Sequence, residues 1–379
     1  MTITTLSIND FRNIEKVELT FSEDINLICG SNGSGKTSIL EAIYFLGRGK
    51  SFRTQKNNLL IELAKPNFIL FGKTVNNFKV GIRKSRNQKL DIKVNEEKLT
   101  QLSSLSSILA IQIITPDSYQ LIESGPSIRR KFIDWIVFHV KHDLINVWKN
   151  HRKILLQRNN ALKKNLPLNQ ITIWDKELVN LSNILTEERI NYIREINKEL
   201  AFYNKTIFEN KLNIKLIYLK GWNDSLGLGQ VLKNNISFDI KRGHTSFGMN
   251  KSEIKIMVKF QDSEIEAKEF LSKGNKKLLS ILLIIIQTKI LIKEKKFNIG
   301  NIKPILLMDD LYSELDKENF NKIYRIICSL NIQSFFTGID LPYFLDNQNT
   351  NEKFLKKEKP IKVFHVKHGL VSEKSPDDI

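Results

Sequence analysis

Cysteine is nearly absent: the 379 residues contain two, Cys29 and Cys328. So few thiols exclude a disulfide scaffold and point to buried thiols in a reducing compartment. Long apolar runs are absent too. The most apolar stretch, Leu278 to Ile286, contains Ser280 and ends before Gln287 and Lys289. A bilayer span needs about 20 apolar residues, so this stretch reads as a buried helix against a sheet. No basic-then-apolar leader is expected, because Asn9, Asp10 and Arg12 interrupt the N-terminal segment. Heptads sustained over many turns are lacking, which argues against a long coiled coil. Together these absences predict a soluble, cytoplasmic protein.

Acidic residues are in the minority. Asp and Glu number 41 against 59 Lys and Arg, a net charge of +18. Such an excess attracts polyanions, either nucleic acid or an anionic membrane surface. The chain is also rich in Lys, Asn and Ile, as a low-GC coding bias would produce, so composition alone accounts for part of the excess. Hydrophobic residues make up 41%, enough for a sizeable core, and the length suits two or three domains.

The first segment alternates. Ile3, Leu6 and Ile8, then Val17, Leu19 and Phe21, predict two strands joined by a turn at Asn9 to Asn13, and Ile25 to Cys29 predicts a third, buried strand. A helix is expected from about Gly35 to Leu46, with Ile39, Leu40, Ile43 and Leu46 on one face. Phe68 to Val94 reads as two or three strands with a turn at Asn76-Asn77. From Pro126 to about Tyr203 the pattern is long helices, broken near Pro167. Leu212 to Leu219 returns to strand and Glu269 to Leu291 to helix. Pro304 to Met308 and Ile332 to Phe336 are buried strands, Lys353 to Lys359 a lysine-rich loop, and Ile361 to Val371 a closing hairpin.

Gly30-Ser31-Asn32-Gly33-Ser34-Gly35-Lys36-Thr37 fits G-x-x-x-x-G-K-[ST]. Glycines let backbone N–H groups converge on phosphate oxygens, the lysine puts a charge at the β- and γ-phosphates, and the threonine hydroxyl suits Mg²⁺. The helix that follows aims its positive end at the same phosphates. Far downstream, Ile305 to Met308 is an apolar strand ending in Asp309 and Asp310. Asp309 is expected to hold Mg²⁺ through water, and Asp310 to polarise an attacking water. Leu271-Ser272-Lys273-Gly274 opens a helix about 35 residues before Asp309. A serine there is either an ordinary N-cap or a second phosphate contact. Ser313-Glu314-Leu315-Asp316 follows the two acids.

This order of motifs resembles the ABC ATPase superfamily, in which the signature serine of one subunit completes the ATP site of another. The wide separation of Lys36 from Gly274 is unlike transporter ATPases and similar to the chromosome-maintenance and repair branch. Within that branch the chain resembles the RecF family of bacterial recombination mediators. The resemblance lies in Phe11 to Ile14, Gly30 to Leu46, Gly47 to Thr54, Gly125 to Asp134, Leu271 to Leu279, Asp309-Asp310, Ser313 to Asp316 and Val363 to Val366. It implies an α/β fold, with an ABC-type head built from residues 1–115 and 261–379 and an inserted, mainly helical lid or arm at 116–260. It further implies ATP and Mg²⁺ as cofactors, an ATP-dependent homodimer, and slow, DNA-dependent hydrolysis with Asp310, Lys36 and Ser272 as the catalytic set. DNA gaps or single-strand/double-strand junctions, RecR and indirectly RecO and RecA are the implied partners. Two features stand apart. Family members usually carry glutamines after the signature glycine, where this chain has Asn275 and Lys276. Many ABC enzymes have Glu at the position of Asp310 and a histidine after the next strand, which here ends at Thr337; RecF-like proteins share this second departure, which favours slow turnover.

Other residues carry weaker signals. Arg12 follows the first strand, where related heads contact nucleotide, and Arg53 is a further phosphate candidate. Arg129, Arg130 and Lys131 form either a solvated helix face or a DNA contact. Gln112 is the candidate Q-loop glutamine. Phe-His-Val-Lys-His occurs at His139/His142 and again at His365/His368, with no carboxylate or cysteine to complete a metal set.

Overall fold

The computed structural model describes residues 2–99, 101–141, 143–209, 211–294, 303–339 and 360–374. His142 and the lysine-rich segment 353–359 lie outside them. Two compact units emerge: Met1–Ser118 together with Leu291–Ile379, and Tyr119–Ile290. Among the described residues no helix is long and apolar enough to cross a membrane.

The first unit begins with β1 (Ile3–Phe11) and β2 (Ile14–Thr20), an antiparallel pair, followed by β3 (Ile25–Cys29) and the helix Lys36–Arg48. Next come β4 (Asn67–Thr74), β5 (Lys79–Ser85), β6 (Asp91–Val94), β7 (Glu97–Lys98) and β8 (Ile111–Ile114). One sheet has the order β2-β1-β4-β5-β6-β7, and its central strands β4 and β5 bury alternate residues as a one-faced antiparallel sheet should.

The first long helices of the second unit are Pro126–Val140, Leu144–Lys163 and Asp175–Thr206, with short ones at Gln120–Glu123 and Leu168–Thr172. The unit continues with β9 (Asn213–Leu219), β10 (Glu253–Phe260) and β11 (Ser263–Glu266), a three-stranded antiparallel sheet. The helix Lys273–Lys293 follows, so the turn Leu271–Gly274 belongs to this unit.

The chain then returns to the first unit with β12 (Ile305–Met308), the helix Lys317–Ser329, β13 (Ser334–Gly338), β14 (Ile361–Lys367) and β15 (Leu370–Lys374). The second sheet has the order β15-β14-β3-β13-β12-β8 and is parallel except at β15. β3, β12 and β13 are buried at every residue. That is why β12 reads as an unbroken apolar run and not as alternation, while β3 and β13 also bury Asn26, Ser334 and Thr337. β8 and β12 are hydrogen-bonded neighbours, Ile305 opposite Ile111, although the whole second unit separates them in sequence. One core unites the halves: Ile39, Leu40, Ile43, Phe45 and Leu46 of the helix Lys36–Arg48 cluster with Leu6, Ile8, Phe68, Leu70, Ile305, Phe335 and Phe364. Each such side chain contributes about 1.5–3 kcal/mol when fully buried. Gln333, fully buried, joins the sheets through polar groups. Its Oε1 accepts from the Ile3 N–H at 2.8 Å, and its Nε2 donates to the carbonyls of Ile3 and Ser22 at 2.8 and 2.7 Å.

Candidate functional site

β3 delivers the chain directly into the glycine loop. Gly30 has φ 151°, and a Cβ there would sit 2.2 Å from the Val366 carbonyl oxygen. Gly33 and Gly35 have φ 77° and 120°. These values are open to glycine and strained for other residues. Lys36 is 6% exposed and curls back over the loop, donating to the carbonyls of Gly30 at 2.7 Å and Ser31 at 3.0 Å.

β12 ends beside this loop. Asp309 Oδ1 accepts two hydroxyls, Thr37 Oγ1 at 3.0 Å and Thr337 Oγ1 at 2.8 Å. Thr337 in turn accepts from the backbone N–H of Asp310 at 2.9 Å. Asp310 adopts a left-handed φ of 55° at the start of the short helix Leu311–Glu314. Burial pushes the Asp309 carboxyl above the usual range, partly opposed by the Thr337 and Thr37 hydroxyls. A divalent cation would offset that burial. One carboxylate and one hydroxyl are hard oxygen donors, and Mg²⁺ takes few protein ligands with water and phosphate completing its shell. The residues present therefore fit Mg²⁺.

The turn between β1 and β2 closes another side. Arg12 (φ 57°) donates through Nε and Nη2 to both oxygens of Glu41 at 2.8 Å, and through Nη1 to the Leu59 carbonyl at 3.1 Å. Glu41 is fully buried, receives the Ser51 hydroxyl, and lies 3.9 Å from Arg53. A bidentate pair of this kind fixes the guanidinium plane. Arg12, Asn13, Asn32, Gly33, Gly35, Lys36, Thr37, Ser38, Arg53, Leu59, Ile61, Leu63, Asp309 and Asp310 line one cleft of about 520 Å³. That volume is in the range of small-molecule sites. Thr337, Glu41 and Asn13 fall within segments noted in the sequence, but no motif spacing assigns them these contacts. Their signal is three-dimensional: a threonine on the strand between β3 and β12, and a glutamate one helical turn past Thr37.

The remaining candidates lie elsewhere. Ser272 is exposed at the start of the helix Lys273–Lys293, its Oγ accepting from the Asn275 N–H at 3.3 Å. Gly274 is exposed, and a Cβ there would meet nothing within 4 Å. Lys276 pairs with Glu123. Ser313 Oγ donates to the Asp310 carbonyl at 2.8 Å. Asp316 caps the helix Lys317–Ser329, accepting from the Asn319 N–H at 2.9 Å, and this bond holds its carboxyl below the usual range. Arg129 pairs with Glu253 at 2.9 Å and Arg130 donates to the Ser252 carbonyl at 2.6 Å, so both guanidinium groups turn inward; Lys131 is exposed. Gln112 sits within β8, opposite Leu306, and does not line the cleft. His139 is buried with Nδ1 2.7 Å from the Trp135 carbonyl, while His365 lies in β14 and His368 in the turn after it.

This arrangement of glycine loop, buried acid strand and downstream parallel strands can be compared with known proteins. The family described as RecF/RecN/SMC N terminal domain matches residues 2–362. The DNA replication and repair protein RecF of Shewanella loihica is 36% identical over 378 residues, 98% of this chain and 99% of that one. This chain belongs to the RecF family. The RecF of Shewanella frigidimarina is likewise 36% identical over 375 residues, covering 98% and 99%. A solved structure of the recombination mediator protein RecF with ATP, from the RecFOR pathway, superposes with a TM-score of 0.81 at 25% identity, over 99% of this chain and 98% of that one. An Smc head bound to a winged-helix domain of ScpA gives a TM-score of 0.58 at 15% identity, over 100% and 99%. The RecF fold is thus the SMC-like ABC ATPase head, as the order of motifs implied.

Proposed function

We propose that this chain is an ATP-dependent DNA-binding repair protein of the cytoplasm. On this reading it dimerises on ATP, binds DNA gaps or single-strand/double-strand junctions, hydrolyses ATP slowly and, with RecR and indirectly RecO, helps load RecA. The observation that carries the reading is the convergence of Lys36, Thr37, Asp309 and Asp310 on one cleft. Thr37 and Asp309 would hold Mg²⁺, which neutralises phosphate charge when bound. Lys36 exchanges its two carbonyl partners for phosphate oxygens. Asp310 orients and polarises the attacking water. Relatives named as DNA replication and repair proteins support the cellular role.

Gly274 supports the dimer. Its own fold needs no glycine, since the position is open to a side chain. A surface that must accept the close approach of another molecule does need one. Ser272 beside it is exposed at a helix N-terminus, a geometry suited to an incoming phosphate. DNA contacts would be mainly to phosphate, given the +18 charge, and would fall steeply with salt. Of the basic trio, Lys131 is the one whose charge faces solvent.

Light scattering with and without ATP-Mg²⁺ tests this on wild type, Lys36→Arg and Asp310→Asn, with a gapped duplex added. The expected result is an ATP-dependent dimer that DNA favours, Lys36→Arg prevents and Asp310→Asn traps, with hydrolysis in Asp310→Asn lower by about 10²–10⁴-fold. A protein that stays monomeric throughout would remove the composite site.

A further inference from the structure

The backbone of the glycine loop is held from outside chiefly at the Ser34 carbonyl, with Asn13 Nδ2 also 3.5 Å from Gly33 O. Ser34 O accepts the Gly369 N–H at 2.8 Å and the Asn13 Nδ2 at 3.2 Å. A carbonyl has two lone pairs, so these donors saturate it. They come from two turns, β1–β2 and β14–β15, that stand more than 350 residues apart in sequence. The turns are also in contact: a Cβ on Gly369 (φ 81°) would lie 2.1 Å from the Asn13 carbonyl oxygen. Asn13 Oδ1 is itself oriented by the Ser38 hydroxyl at 2.8 Å, and a Cβ on Gly35 would come within 3.0 Å of Asn13 Nδ2.

We infer that Asn13 and Gly369 are positioning residues for the bound phosphates, acting through the Ser34–Gly35 peptide. The inference rests on the ATP reading of the loop. A peptide unit is planar, with C=O and N–H pointing in opposite directions. Fixing Ser34 O therefore fixes the direction of the Gly35 N–H. Glycines at 33 and 35 would otherwise leave this peptide free to rotate. Two donors on the carbonyl also polarise the peptide and strengthen its N–H as a donor to an anion. The C-terminal hairpin is thereby part of the nucleotide site, although it contributes no side chain to the cleft.

The test is the affinity for ATP and ADP, measured with fluorescent analogues on the full chain for wild type, Lys36→Ala, Asn13→Ala, Ser38→Ala and Gly369→Ala. Asn13→Ala is expected to weaken ATP and ADP by the same factor, about tenfold, as loss of support for one charge-assisted hydrogen bond requires. Ser38→Ala, which removes the partner that orients Asn13 Oδ1, is expected to weaken both nucleotides by a smaller factor than Asn13→Ala. Gly369→Ala should weaken binding further; if it does not fold, Asn13→Ala decides. Unchanged affinity in Asn13→Ala, or a loss that differs between ATP and ADP, would overturn the inference. Wild type failing to bind ATP would instead remove the proposed function, a separate outcome that this panel reads directly.

Discussion

The two units bury polar groups to opposite ends. In the first, Lys36, Glu41, Asp309 and Thr337 are buried around a cleft, and their hydrogen bonds leave groups aimed into it. In the second, buried charge is spent on the fold. Arg158, fully buried, donates to Asp175 at 2.7 Å, to the fully buried Asp239 at 2.8 Å and to Thr245 at 2.8 Å. Arg189, 2% exposed, grips both oxygens of Asp134 at 2.7 and 2.9 Å and donates to the Met249 carbonyl and the Ser252 hydroxyl. The lesson is that burial of charge does not by itself mark a site. What marks one is burial of charge beside open volume.

The sharpest way to break this contrast is Arg158→Met. It strands Asp239 without its cation and is expected to destabilise the second unit by about 3–5 kcal/mol. Urea unfolding reads that loss. ATP affinity of the folded variant should remain within about twofold of wild type. An affinity loss as large as the stability loss would show that the second unit's charges serve the nucleotide after all.

A smaller effect comes from His151. It is buried with Nε2 3.1 Å from Ser182 Oγ, and burial, aided by the nearby Arg189 charge, pushes its pKa down from 6.5 to about 4. The unfolded chain therefore takes up the proton first as pH falls. The stability contributed by a neutral His151 is present above pH 6.5 and is lost between 6.5 and about 4. Between pH 8 and pH 5.5 the loss is expected to be about 1 kcal/mol, and His151→Asn should remove that slope. An identical pH slope in the variant would place the titration elsewhere.

The legibility of the sequence divides along the same line. The glycine loop, its helix, the buried strands at β3 and β12 and the closing hairpin were readable, because period and residue type alone dictate them. The link from Thr37 to Asp309 was readable because both belong to motifs of fixed chemistry. The contacts of Thr337, Glu41 and Asn13 were not, since each is a single residue whose partner lies in another element, 28, 29 and 21 residues away. Gly369 was hidden for the same reason. Arg129 and Arg130 looked like a solvated basic face, and only Glu253 and Ser252, more than 120 residues downstream, turn them inward. The Arg158 and Arg189 networks gave no sequence signal, because a buried arginine and an exposed one are spelled alike.

The central claim is that the cleft of one chain is completed by the exposed Ser272 turn of another. Mixing Lys36→Ala with Ser272→Arg tests it most directly. Each variant alone should lose ATP hydrolysis. In the mixed dimer one site pairs an intact phosphate loop with an intact serine, so an equal, freely exchanging mixture is expected to recover about a quarter of wild-type activity. A mixture no more active than its components would contradict the claim.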